Sequence, residues 1–180
     1  MMAEFERLSR DLVHKGAIID YYKDTVKVPN GNVVKWDYID HKGAAAVVPV
    51  TDDGKILMVK QYRNALTRET LEIPAGGLNG ADEPTLDAAA RELREETGYV
   101  SNDLELLITI RTTVAFCNEK IDIYVARNLI KSEQDLDEDE FIDVYPMEIA
   151  ELEKMIYSGK MEDSKTISAI LAYKNKYCKN

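Results

Sequence analysis

A helix bracketed by Pro84 and Gly98, following a strand that ends in Gly76-Gly77, constrains this chain more than any other feature. Asp82-Glu83-Pro84 puts acids and a proline at the helix start, where free N–H groups and the positive dipole end favour them. Gly98 supplies the left-handed residue that stops a helix, and the Ala-rich interior is helix-prone. Glu92, Glu95 and Glu96 stand at i, i+3 and i+4, so their carboxylates fall within an arc of roughly 100°. Leu86, Ala90, Leu93 and Thr97 line a different face. One side is expected to pack while the other presents three like charges, at roughly a few tenths of a kcal/mol per i,i+4 pair. A divalent cation turns that repulsion into ligation, and hard oxygen ligands on one rigid face suit Mg²⁺ or Mn²⁺, with substrate phosphates in the open positions. A bare Glu-x-x-Glu-Glu is commonly a solvated face, but such a face has no use for the glycine loop before it.

The strands around this helix frame it. Ala17–Tyr22, Thr25–Val28 and Val33–Trp36 are short β-prone pieces broken by Pro29-Asn30-Gly31-Asn32, and they predict a small antiparallel unit. Ala44–Val50 and Ile56–Gln61 are almost wholly apolar, as buried strands are, and Asp53-Gly54 between them predicts a hairpin. Leu104–Thr113, Ile121–Ala126 and Phe141–Tyr145 predict further strands, and helical spacing returns from Glu148 onward.

With 45% apolar residues in 180, the chain can bury a core without staples. A balance of 23 Lys and Arg against 33 Asp and Glu gives a net charge of −10, which argues against a nucleic-acid binder because that task needs a basic face. Cys117 and Cys178 lack metal or redox spacing and are expected to be free thiols; His14 and His41 also lack metal-ligand spacing. The N-terminus carries acids, and the longest apolar run is far short of the ~20 residues that span a bilayer. A cytoplasmic protein with no membrane partner is expected.

Gly77, five residues, Glu83, seven residues, then Arg91-Glu92-Leu93-Arg94-Glu95-Glu96-Thr97-Gly98 resembles the Nudix box at every polar and glycine position. Tyr99 departs from the smaller aliphatic residue usual there, and tyrosine at that place is familiar in the ADP-ribose branch. The resemblance to ADP-ribose pyrophosphatase-like Nudix proteins extends to Lys15-Gly16, Val28–Gly31, His41–Ala44, Lys60–Arg63, Leu71–Gly77 and Asp137–Phe141. It implies an α/β fold, a Nudix α/β/α sandwich with a mixed sheet. Residues 1–42 would form a small N-terminal antiparallel β unit serving the substrate pocket and dimerisation, and residues 43–180 the hydrolase domain.

The resemblance further implies Mg²⁺-dependent (or Mn²⁺-dependent) hydrolysis of ADP-ribose or a related ADP-sugar to AMP and a sugar phosphate. Alternatives are other nucleotides, such as deoxynucleoside triphosphates or dinucleotides, and a non-catalytic sensor on the same fold. It assigns Glu92 and Glu96 as principal metal ligands, Glu95 as a further ligand or water-orienting group, and the Ala75 carbonyl as a ligand from the loop. Arg91 would orient the glutamates and Glu83 brace the loop. Glu119 matches the place of a general base, with a plain solvent-exposed turn acid as the alternative. Val114-Ala115 stands where many ADP-ribose enzymes carry Pro-Gly, which weakens the substrate assignment without touching the metal site. Trp36 matches a ring stacked on adenine, Tyr22 would face the other side of the base, and Arg63 would meet phosphate or ribose. A lone tryptophan is otherwise a core residue. The acidic run Asp135–Glu140 is expected to be a solvated loop, and a homodimer is implied.

Overall fold

The computed structural model describes residues 4–80, 82–138 and 140–178. Met1–Ala3 of the acidic N-terminus and Asp139 of the acidic run lie outside the described residues. The chain divides into two compact units, one of residues up to Gly43 with Arg111–Lys120, the other of Ala44–Ile110 with the remainder from Ile121.

The first unit is an antiparallel meander of β1 (Glu6–Lys15), β2 (Ile19–Lys27) and β3 (Val33–His41), in that order across the sheet. The Pro29–Asn32 turn forms as expected, with Gly31 at φ 88° and its N–H donating to the Val28 carbonyl at 2.8 Å. Two differences stand out. β1 has no counterpart in the expected strands, because its residues are almost all exposed and do not alternate. Ala17–Tyr22 and Thr25–Val28 join into the single strand β2, across Asp24, which is buried. Arg10 of β1 donates Nε and Nη2 to the two Asp24 oxygens, each at 2.7 Å, and this bidentate partner is what lets a carboxylate sit inside a sheet. Segment 111–120 runs beside β3: Ile39 donates N–H to the Phe116 carbonyl at 2.7 Å and accepts from Asn118 N–H at 3.3 Å.

The second unit contains β4 (Ala44–Pro49), β5 (Ile56–Arg63), β6 (Arg68–Glu72), β7 (Ala75–Gly77), α1 (Thr85–Thr97), β8 (Tyr99–Val100), β9 (Asp103–Arg111), β10 (Lys120–Arg127), β11 (Ile130–Lys131), β12 (Asp143–Met147), α2 (Ile149–Tyr157) and α3 (Ser164–Tyr177). Its main sheet runs β7-β4-β10-β9, with β4 and β10 parallel and β7 antiparallel to β4, so it is mixed; a second sheet runs β12-β5-β6. Burial on both faces explains the apolar character of β4 and of β10 apart from Asp122. Ala46, Val48, Ile123 and Val125 pack with Leu152 of α2 and with Ala169 and Ile170 of α3. The intervening Ala45 and Val47 meet Ala88, Ala89 and Leu93 of α1. A sheet covered on both faces by helices is the α/β/α layering the sequence implies.

The expected hairpin between β4 and β5 is corrected. Its turn exists, with Gly54 at φ 83° and Thr51 N–H donating to the Lys55 carbonyl at 2.9 Å, but beyond one Val50–Ile56 bridge the strands part into different sheets. Both edges of β4 are already taken by β7 and β10, which leaves β5 no place beside it. Among the described residues no helix is long and apolar enough to cross a membrane.

Candidate active site

Small side chains bring α1 close to the sheet: Ala88 and Ala89 are fully buried against Ala45 and Tyr124. The N-terminus of α1 is fixed by Thr85, whose Oγ1 donates to Asp122 at 3.0 Å, while Pro84 caps from the extended region rather than standing inside the helix. The packed and open faces differ from the helical-wheel expectation. Leu86 is 44% exposed, whereas Glu92 and Glu96 are only 7% and 3% exposed. These two carboxylates point at the loop of β7, not at water.

The Ala75 N–H donates to Glu96 Oε2 at 3.1 Å. Gly76 lies so close to Glu92 that no Cβ would fit between them. Arg91 ties the remaining groups together: Nη1 donates to Glu92 Oε1 at 2.6 Å and to Glu95 Oε2 at 2.9 Å, Nε to Glu83 Oε1 at 3.3 Å, and Nη2 to the Gly77 carbonyl at 3.0 Å. Glu83 in turn accepts from the Asn79 N–H at 2.5 Å. The glycine loop and the first half of the helix are thus laced through one guanidinium.

Burial pushes the Glu92 carboxyl up to about 7, against the opposing pull of Arg91. Burial, and next the charge of Glu92, push Glu96 up to about 8. Two like-charged carboxylates out of water, beside a carbonyl-bearing loop that admits no side chain, fit a hard divalent cation with oxygen ligands; Glu92, Glu96 and the Ala75 carbonyl would hold it.

The acidic run is more than the solvated loop expected. Gln134 Nε2 donates to the Glu96 carbonyl at 2.6 Å, Asp135 N–H to the Glu95 carbonyl at 3.1 Å, and Ser132 N–H to the Gly98 carbonyl at 2.7 Å. The last turn of α1 offers orphan carbonyls, and this segment satisfies them. Glu140, farther along, lies near enough to Glu92 and Glu96 for its charge to raise both, after burial and their closer neighbours. No spacing rule reveals that approach.

Arg63 lies in the same unit, with Nε and Nη2 donating to Glu72 at 2.8 and 2.6 Å, so half of its fork is already committed. In the first unit, Trp36 is 48% exposed and is not a core residue. It lines an open cavity of about 560 Å³ with Tyr21, Asp37, Ile39, Ala115 and Phe116. Tyr22 is outside that cavity; its ring instead packs 6.1 Å from that of Tyr38. Glu119 is partly buried rather than a free turn acid: Thr112 Oγ1 donates to one oxygen at 2.5 Å, and His41 Nε2 stands 3.6 Å from the other. His41 Nδ1 accepts from the Gly43 N–H, leaving Nε2 to carry the proton toward Glu119, a pairing the sequence spacing does not signal.

A family model of the NUDIX domain matches residues 40–169. The chain belongs to the Nudix family. It is 38% identical over 169 residues to an ADP-ribose pyrophosphatase of Bacillus subtilis, covering 93% of this chain and 91% of that one. It is equally 38% identical to a methanol dehydrogenase activator of Bacillus methanolicus, with the same coverage. A crystal structure of an ADP compounds hydrolase matches with a TM-score of 0.84 at 20% identity, over 96% of this chain and 93% of that one, and shows the same fold. This Nudix hydrolase therefore has the α/β/α fold its box implies, and Nudix hydrolases act with a divalent metal.

Proposed function

We propose that this Nudix hydrolase splits the diphosphate of ADP-ribose or a related ADP-sugar with water, giving AMP and a sugar phosphate, with Mg²⁺ or Mn²⁺ as the metal. The observation that carries the reading is the buried Glu92–Glu96 pair closed against Ala75 and Gly76. The full-length similarity to the Bacillus subtilis ADP-ribose pyrophosphatase supports the substrate. When bound, the metal neutralises phosphate charge and lowers the pKa of the attacking water. Glu92, Glu96 and the Ala75 carbonyl are its ligands, with Glu95 a further ligand or an orienting group for water. Arg91 positions Glu92 and Glu95, and Arg63 meets the diphosphate through its uncommitted edge. One P–O bond forms to water, the bridging P–O bond breaks, and the water's proton leaves through a carboxylate. Glu119, held by Thr112 and His41, is the assigned base; Glu140 is its rival because its charge reaches Glu92 and Glu96. Adenine stacks on Trp36 with Tyr21, rather than Tyr22, beside it.

The protein is a cytoplasmic homodimer in this reading, with residues 1–42 serving as the dimerising unit ahead of a hydrolase domain. Support comes from β1, a sheet edge carrying exposed Leu8, Leu12 and Val13. A second reading, action on a dehydrogenase partner, rests on the equal similarity to the Bacillus methanolicus activator. The test is a panel of ADP-ribose, ADP-glucose, NADH, diadenosine polyphosphates and deoxynucleoside triphosphates with Mg²⁺, scored by product. AMP and ribose 5-phosphate as the best-formed products support the proposal.

A further inference from the structure

The face of β5 that carries Arg63 also carries a hydrogen-bond donor with no acceptor. Gln61 precedes Arg63 by two residues, so both side chains emerge on one face of the strand, opposite Thr70 and Arg68 of β6. The Nε2 atom of Gln61 is buried and has no hydrogen-bond partner. It is the single such side-chain atom among the described residues, and in folded proteins a group of that kind calls for a reason.

The carboxylate on this face is already engaged. Glu72 receives Arg63 at 2.8 and 2.6 Å, Thr70 Oγ1 at 2.6 Å, and the Lys165 ammonium. Two donors of this cluster have no partner among the described residues: Gln61 Nε2, closed off from solvent, and the Nη1 edge of Arg63. Arg63 is held protonated first by Glu72 and, farther off, by Glu96, so this donor face adjoins the carboxylate helix. A ligand whose oxygens only accept complements it, and a diphosphate is such a ligand; sugar hydroxyls both donate and accept.

We propose that the Gln61 carboxamide is a substrate-binding group, donating an N–H to a non-bridging oxygen of the substrate diphosphate beside the free edge of Arg63. The inference rests on the diphosphatase reading above and adds a donor that no box position contains. It also implies a trade: the free enzyme carries an unsatisfied amide that only the bound substrate satisfies.

The experiment compares wild type with Gln61→Met, which keeps length and bulk without a donor, and Gln61→Glu, which puts an acceptor where the donor stood. Melting temperature, KM and kcat with ADP-ribose and Mg²⁺, and Kd for ADP-ribose by calorimetry on metal-free protein are measured for each. Gln61→Met is expected to melt at or above the wild-type temperature while KM and Kd rise about tenfold and kcat falls less than about threefold. Gln61→Glu is expected to raise both constants about a hundredfold, through repulsion of phosphate. Wild-type KM and Kd in Gln61→Met overturn the inference and leave the amide a structural orphan; should that variant not fold, unchanged constants in Gln61→Glu do the same. If wild type binds ADP-ribose without hydrolysing it, the functional reading fails and the Kd comparison alone decides on Gln61. If wild type does not bind it at all, both are overturned.

Discussion

A Cβ placed on Gly76 would stand 2.1 Å from Oε1 of Glu92. The β7 loop and the carboxylate helix therefore meet so closely that any side chain at position 76 would displace the Glu92 carboxylate. Glu92 has little room to retreat, being buried and held at 2.6 Å by Arg91. Gly76→Ala is expected to fold and to weaken metal binding at least about tenfold, read by Mn²⁺ titration. Wild-type Mn²⁺ affinity in that variant would show that Glu92 is not a ligand.

The buried carboxylates set the pH response of the metal-free protein. Glu92 and Glu96 stand near 7 and 8 when folded against an ordinary 4.5, so the folded state holds more protons than the unfolded one between those values. Stability of metal-free protein should then fall as pH rises from about 5 to 8. Bound metal displaces those protons, so affinity should climb over the same range. Melting temperatures at pH 5.5, 7 and 8.5, with chelator and with excess Mg²⁺, check both signs. A metal-free protein that gains stability across that window would contradict the assignment.

Glu72 acts in the opposite direction. Burial alone would raise its carboxyl, but Arg63, Lys165 and Thr70 together bring it down to about 2. Its contribution is fully present above about 4.5 and is lost as pH falls toward 2. Lys165→Met should lower the melting temperature at pH 7 and narrow the difference between pH 7 and pH 3. An unchanged difference would mean that Lys165 adds nothing to the pair.

Trp36 is half exposed, so truncating it opens no core cavity. Trp36→Ala should leave the melting temperature within a degree or two while raising KM for ADP-ribose about ten- to a hundredfold, the scale of losing a base–aromatic stack of ~1–3 kcal/mol. kcat should change little, since stacking far from phosphorus binds ground and transition states alike. An unchanged KM would separate Trp36 from the substrate.

What the sequence reveals here is what local physics dictates. Pro84 and Gly98 bound the helix, and the almost wholly apolar runs Ala44–Val50 and Ile56–Gln61 announce buried strands. Spacing puts the box glutamates on one helix face, while their proposed metal role comes from the resemblance to the Nudix box. What it hides depends on partners distant in the chain. β1 lacks alternation, and β5 cannot pair with β4 because β7, arriving later, takes that edge. Tyr21, and not Tyr22, lines the Trp36 cavity, a one-residue parity in a strand that only its register decides. Gln134 and the Asp135 N–H reach α1 because its final carbonyls need donors, which no motif records.

Whether a cation held by Glu92 and Glu96 drives hydrolysis of an ADP-sugar diphosphate is tested most directly by product-resolved turnover of ADP-ribose by wild type and Glu96→Gln. Wild type with Mg²⁺ is expected to release AMP and ribose 5-phosphate in equal amounts and to fall silent in chelator. Glu96→Gln, melting near wild type at pH 7 because the amide mimics the protonated acid, is expected to lose about a hundredfold or more in kcat. Equal rates in the two proteins, or undiminished turnover in chelator, would contradict the account.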